Sequence, residues 1–194
     1  MIMDVLCLDF LVSEFRDFRG RWVDDRLLKP AWIEAFVCEW HLEVESPLTP
    51  TMQEQLISLR SLIRRMVETL PDGAVVGEQF AQDLHVLNTI MQAAPHVSCL
   101  LWDGETFRVE EITPRRDWNW VMAEIAASFA ELLASRDSRR LKICENEYCR
   151  TIFYDESKSR TKRYCTNSKC GNLWKLRRFR ARHKVAIQRG SPTS

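Results

Sequence analysis

Four cysteines, Cys144, Cys149, Cys165 and Cys170, follow the pattern Cys-x4-Cys-x15-Cys-x4-Cys, and no other feature of the 194-residue chain limits its fold as strongly. Zinc prefers four soft ligands at the corners of a tetrahedron. Two short chelating turns brought together by a hairpin supply them with little further ordering of the chain. Two reducible disulfides are the competing use of such a quartet. The seven cysteines are an odd number, and the opening MIMDVLCLDF has no basic segment ahead of its apolar residues, so it does not resemble a secretory signal. The chain therefore reads as cytoplasmic, and metal explains the clustered four better than a disulfide framework does. Four thiolates leave no position for water or substrate, so the expected cofactor is one structural Zn2+ per chain. Cys7, Cys38 and Cys99 are scattered singly and read as small buried hydrophobes.

The energetics of a small module also favour a bound metal. Between Leu141 and Arg189 large apolar residues are few, and below roughly 40–50 residues a core rarely suffices without a staple. A structural zinc contributes on the order of 10–16 kcal/mol to such a module.

Charge divides the chain at nearly the same place. From Arg136 to Ser194 there are 17 Lys and Arg against 5 Asp and Glu; residues 1–135 hold 11 against 22, so a net charge of +1 conceals a +12 segment behind a −11 one. A split that sharp suggests two modules with different partners. No apolar run approaches the length of a membrane span, so no membrane partner is expected.

The first module reads as helical. Pro30 suits the first turn of a helix in which Trp32, Ile33, Phe36, Val37 and Trp40 recur at spacings of three and four. Thr51 with Glu54 forms a candidate capping box for a second helix, whose apolar repeat runs Met52, Leu56, Leu59, Ile63, Met66 and Leu70 before Pro71-Asp72-Gly73 stops it. A third spans Glu78–Ala93 with Phe80, Leu84, Leu87 and Met91 on one side, and a fourth spans Asp117–Ser135. Between them, near 97–112, Asp103-Gly104 separates two β-prone segments and predicts a hairpin with a tight two-residue turn.

Behind the last cysteine, the helical repeat places Leu176, Phe179, His183 and Ile187 on one face, expected to dock on the zinc module, with Lys175, Arg178 and Arg182 on a stripe turned away. His183 on that apolar face reads as a packed helix residue, not a zinc ligand. No acidic residue lies between Glu156 and Ser194, so ion pairs within this helix cannot form. Unpaired charge of one sign costs stability unless something external neutralises it. Lys175, Arg177, Arg178, Arg180, Arg182 and Lys184, together with Arg163, are therefore the candidate nucleic-acid contacts, with duplex DNA the expected partner. A protein-interaction adaptor, whose basic finger docks an acidic protein surface, is the alternative. Catalysis has little support, because acidic pairs such as Asp24-Asp25 and Glu110-Glu111 are adjacent rather than convergent and no histidine has an evident nucleophile nearby. Trp22, Trp32, Trp40, Trp118 and Trp120 read as core rather than as the walls of a ligand pocket.

Cys144, Cys149 and Cys165, followed by Cys170-Gly171-Asn172 and LRRFRAR, resemble the CGNR zinc-finger family, with Leu173 where the family motif has arginine. The opening Leu6-Cys7-Leu8-Asp9-Phe10-Leu11 looks like the start of the ABATE-type domain that precedes this finger in bacterial stress-induced transcription regulators, although Val12-Ser13 replaces the Asn-Thr that often follows. The resemblance implies a mainly α chain. Residues 1–136 would form a multihelical domain with one β-hairpin, and residues 137–194 a small treble-clef-like four-cysteine zinc finger ending in a basic helix. It further implies a DNA-binding regulator, and it allows a small-molecule or protein signal at the N-terminal domain and a homodimer.

Overall fold

The computed structural model describes residues 5–70 and 76–189. The chain divides into two compact units, Met1–Glu14 with Asp25–Arg139 and Phe15–Asp24 with Arg140–Ser194. The first unit is built from α1 (Leu6–Leu11), α2 (Pro30–Glu39), α3 (Pro50–Glu68), α4 (Glu78–Gln92) and α5 (Trp118–Ser135), with one antiparallel hairpin between α4 and α5. Strands β1 (Glu14–Arg16) and β2 (Val23–Asp25) pair with each other, and between them the chain passes into the second unit and back.

Helix α5 is the centre of the first unit because alanines and β-branched residues let its neighbours approach from several sides. Ala123, Ile125, Ala126 and Phe129 are all buried on it, and α1, α3 and α4 pack against it. Asp117 caps it, accepting from the N–H groups of Asn119 and Trp120. Helix α3 starts earlier than its capping-box pattern suggests: Thr49, not Thr51, is the N-cap, and its hydroxyl accepts from Met52 N–H at 3.2 Å. Pro50 then occupies the first helical position, where its missing N–H is not needed. Helix α3 ends at Glu68, so Leu70 lies beyond it, and the expected stop at 71–73 falls outside the described residues. In α4, Phe80 and Leu87 are buried but Leu84 is exposed; buried Asp83 faces inwards instead, held by Arg65 of α3 through two bonds of 2.8 Å.

Charge enters the core once more. The guanidinium of Arg60 is buried and donates to both carboxylate oxygens of Asp25, at 2.8 and 2.6 Å, and to the hydroxyl of Ser13. Cys7 is buried as the sequence suggests, whereas Cys38 is exposed on the outer side of α2. Trp118 and Trp120 are buried core; Trp22 is half exposed and Trp40 donates its indole N–H to Asp9.

Strands β3 (Val97–Trp102) and β4 (Phe107–Ile112) form the expected hairpin, with Trp102 opposite Phe107 and Leu100 opposite Val109. The turn is longer than the Asp-Gly pair predicts. Residues 103–106 form a four-residue loop in which the Asp103 carboxylate accepts from the N–H groups of Glu105 and Thr106, and Gly104 has φ +104°. An aspartate at the first loop position satisfies those backbone donors without the tighter turn.

In the second unit, β5 (Leu141–Ile143) pairs with β6 (Ile152–Tyr154); a single π-helical turn, Asn167–Gly171, then leads into α6 (Asn172–Arg189). No described helix is long and apolar enough to cross a membrane.

Candidate metal centre and nucleic-acid interface

The β5–β6 hairpin carries the first cysteine pair in its connection. Cys144 N–H donates to Thr151 O at 2.8 Å, and Cys149 N–H donates to Asn146 O at 2.9 Å, so the chain folds into a tight knuckle with Arg150 in the left-handed region at φ +50°. Of the second pair, Cys170 sits in the π turn and Cys165 just before its N-cap Thr166, the turn being closed by Gly171 N–H donating to Thr166 O at 3.0 Å. A four-residue gap between cysteines is thereby wrapped into one wide turn.

These two turns bring all four thiols together. Their sulfurs lie within 4.8 Å of one another, with Cys149 and Cys165 at 3.6 Å and Cys165 and Cys170 at 3.9 Å. Four thiolates about 2.3 Å from a common tetrahedral centre would stand roughly 3.8 Å apart, so the donor set fits one zinc ion. Crowding gives the thiols unequal acidities. Hydrogen bonds with Cys144 and Cys165 hold Cys149 far below the ordinary thiol range, the bonds with Cys144 and Cys149 push Cys165 up, and desolvation pushes Cys170 up to about 12. Such a cluster carries four negative charges only with a dication at its centre. The four cysteines can hold one zinc ion, and no histidine joins them among the described residues.

A contribution the sequence did not reveal comes from residues 15–24. The side-chain amide of buried Asn146 donates to the Cys170 sulfur at 3.3 Å and to the carbonyl oxygen of Phe18 at 2.7 Å. Phe18 also packs against the cysteine cluster beside Phe153 and Tyr164. The loop around Phe18 is closed by Asp17, which accepts from the guanidinium of Arg21 at 2.6 Å, and by Gly20 N–H donating to Asp17 O. Gly20, at φ +79°, lies flat against the Tyr148 ring. In the sequence, Gly20 between Phe15 and Trp22 marks no more than a turn, which carries no sign of a metal site elsewhere in the chain.

The cationic loop after β6 hangs on Asp155, which is fully buried. Its carboxylate accepts from Lys142 Nζ at 2.7 Å, from Ser157 N–H and hydroxyl, and from Lys162 N–H. Burial alone would raise its pKa, but these donors outweigh that and hold it far below the carboxylate range. Lys158 and Arg160 stand exposed on the loop so formed.

The seven candidate contacts separate into groups. Arg163 forks onto Glu145, and Arg177 reaches Glu147 at 3.3 Å while lying over the Tyr148 ring, so both have carboxylate partners on the first knuckle that a search for partners along the helix misses. Lys175, Arg180 and Arg182 are exposed and have no carboxylate partner among the described residues. Arg178 and Arg163 both lie over Trp174, at 5.2 and 5.9 Å from its ring centre, and Tyr164 completes that cluster. Lys184 is in α6, but its side chain lies outside those described.

At Leu176 and Phe179 the expected docking face of α6 is not docked. Leu176 is 44% and Phe179 53% exposed, and among the described residues the aromatic ring that Phe179 meets is that of its helix neighbour His183; the side chain of Ile187 lies outside those described. Leu173 and Trp174, one turn earlier, are the half-buried residues that anchor the helix base. The zinc module meets α6 through Trp174 and Arg177, which lie against Tyr164 and Tyr148, and Leu176 and Phe179 are left outside that contact.

Comparison with known families divides the chain in the same order. Residues 4–136 match the ABATE family, described as "Putative stress-induced transcription regulator", and residues 140–183 match the CGNR zinc finger. No curated protein matches the chain closely enough to count as a relative.

Proposed function

This chain belongs to the ABATE family, and from that membership we propose that it is a DNA-binding transcription regulator whose zinc module presents α6 to duplex DNA. The observation that carries the reading is the exposed cationic surface of α6. Lys175, Arg178, Arg180 and Arg182 stand in solvent on a helix without a single acidic residue, launched from the turn that holds Cys170. Arginine on a helix suits both phosphate and the edge of guanine in a major groove. Arg163 and Arg178 over Trp174 add a second cationic cluster at the helix base. The domains are read as a helical sensor followed by this reader. A cleft of about 560 Å3 between α3, α4 and the start of α5, lined by Leu59, Leu62, Val86, Ile90 and Met122, is the place for a small-molecule signal.

Titration of the zinc-loaded protein onto duplex DNA over a range of salt tests the reading. Log affinity should fall linearly with log salt, with a slope of about −0.9 per phosphate neutralised. The double variant R178E/R182E should lose binding while keeping its zinc; unchanged affinity in that variant counts against α6 as the reader.

Exposed Leu176 and Phe179 favour one second reading, an adaptor whose mixed apolar and basic helix docks an acidic protein surface. That mode loses affinity on truncating Leu176 and Phe179 and shows a shallow salt slope.

A further inference from the structure

The β3–β4 hairpin displays an apolar face that stands exposed among the described residues of its own unit. Leu100 and Trp102 of β3 share a face with Phe107 and Val109 of β4, and these four are 67%, 56%, 69% and 67% exposed. They form two cross-strand pairs, Leu100 with Val109 and Trp102 with Phe107, whose aromatic rings are 4.7 Å apart. The opposite face is not the reason for the exposure. There Cys99 and Leu101 are half-buried, and Arg108 pairs with Glu110 at 3.1 Å, so those two charges lie on the face opposite the four apolar residues. Among the described residues this sheet has only two strands. A two-stranded sheet standing alone is marginal in water, and it gains stability when its apolar face is covered.

We propose that this face is the contact between two copies of the chain, packed hairpin on hairpin. Area argues for it: with a whole aromatic side chain worth about 150–250 Å2, the four residues expose roughly 500 Å2. Two such faces bury about 1,000 Å2 together, the size at which a specific interface separates from a chance contact. A patch of that extent is also at the upper end of what a monomer leaves in water. Chemistry selects the occupant. None of the four residues carries a charge, so a nucleic acid finds no cation among them. A second copy offers the same four apolar side chains, which is what a two-fold interface requires. The inference rests on the hairpin and not on DNA binding. In combination with the proposed function it places two readers in one particle, the arrangement that paired half-sites demand.

Sedimentation velocity of the full-length, zinc-loaded protein, without nucleic acid and across a wide concentration range, tests it. The expected result is a two-chain mass that dissociates on dilution. Leu100→Glu and Trp102→Lys should each raise the dissociation constant by at least about thirtyfold, the loss expected for a residue central to an interface. Their zinc content and helical circular dichroism should be unchanged, because both side chains are exposed in the single chain. A one-chain mass at every concentration overturns the proposal. So does a dimer whose dissociation constant neither variant moves, because its interface would then lie elsewhere. Neither result bears on whether α6 binds DNA.

Discussion

The side-chain amide of Asn146 donates to the sulfur of Cys170 at 3.3 Å and, from the same nitrogen, to the carbonyl of Phe18 at 2.7 Å. One buried group therefore ties a metal-binding sulfur to a segment more than a hundred residues away in sequence. A hydrogen bond donated to a thiolate stabilises its charge and orients its lone pairs towards the metal.

Asn146→Ala should keep the zinc but bind it about 10–100-fold more weakly, the usual cost of removing a group that supports a metal-bound residue. Asn146→Asp should be worse, because it sets a carboxylate beside a thiolate. Competition against a chromophoric chelator measures both. Equal affinities for the wild type and Asn146→Ala would show that the contact supports folding alone.

Gly20 has φ +79°, and a Cβ built there comes within 2.5 Å of the Tyr148 ring. Tyr148 is 41% exposed and can swing aside, so the lasting penalty of Gly20→Ala is the backbone conformation, about 1–2 kcal/mol. Thermal unfolding of the zinc-loaded protein reads this. The double variant with Tyr148→Ala should recover only the part due to the ring.

Chelation of the zinc should unfold residues 140–171 and leave the first unit helical, because α3, α4 and α5 bury Leu59, Ile63, Met66 and Phe129 without help from metal. Circular dichroism before and after chelation, together with a stoichiometric metal assay, checks both halves. A preparation made under reducing conditions should contain one zinc per chain.

Asp25→Ala leaves the Arg60 guanidinium buried without its carboxylate and should cost about 3 kcal/mol, the lower end for breaking a buried pair because Asp25 is itself partly exposed. The pH dependence has a definite sign. Hydrogen bonding from Arg60 holds the Asp25 carboxyl below its usual range, so the unfolded chain takes up this proton at a higher pH than the folded one does. The contribution is fully present above about pH 4 and is lost as pH falls through the lower folded value. Urea unfolding of the wild type should weaken with acid across that window more steeply than unfolding of Asp25→Ala.

Local chemistry made much of this molecule legible in its sequence. The cysteine spacing alone identified the four sulfurs that the two turns gather, because short loops of that length can do little else but chelate or stay apart. The period-of-four repeats placed α2 to α5, and the acidic-to-basic switch fell close to the start of the zinc module. These signals span few residues, so the physics that produces them is complete within a window of sequence. What required the tertiary structure were relations between windows. That residues 15–24 belong with the zinc module, that Glu145 and Glu147 take up Arg163 and Arg177, and that Leu176 and Phe179 of α6 stay in water depend on which surfaces meet. An amphipathic pattern specifies a face, but whether that face is covered depends on the area its neighbours have left to offer.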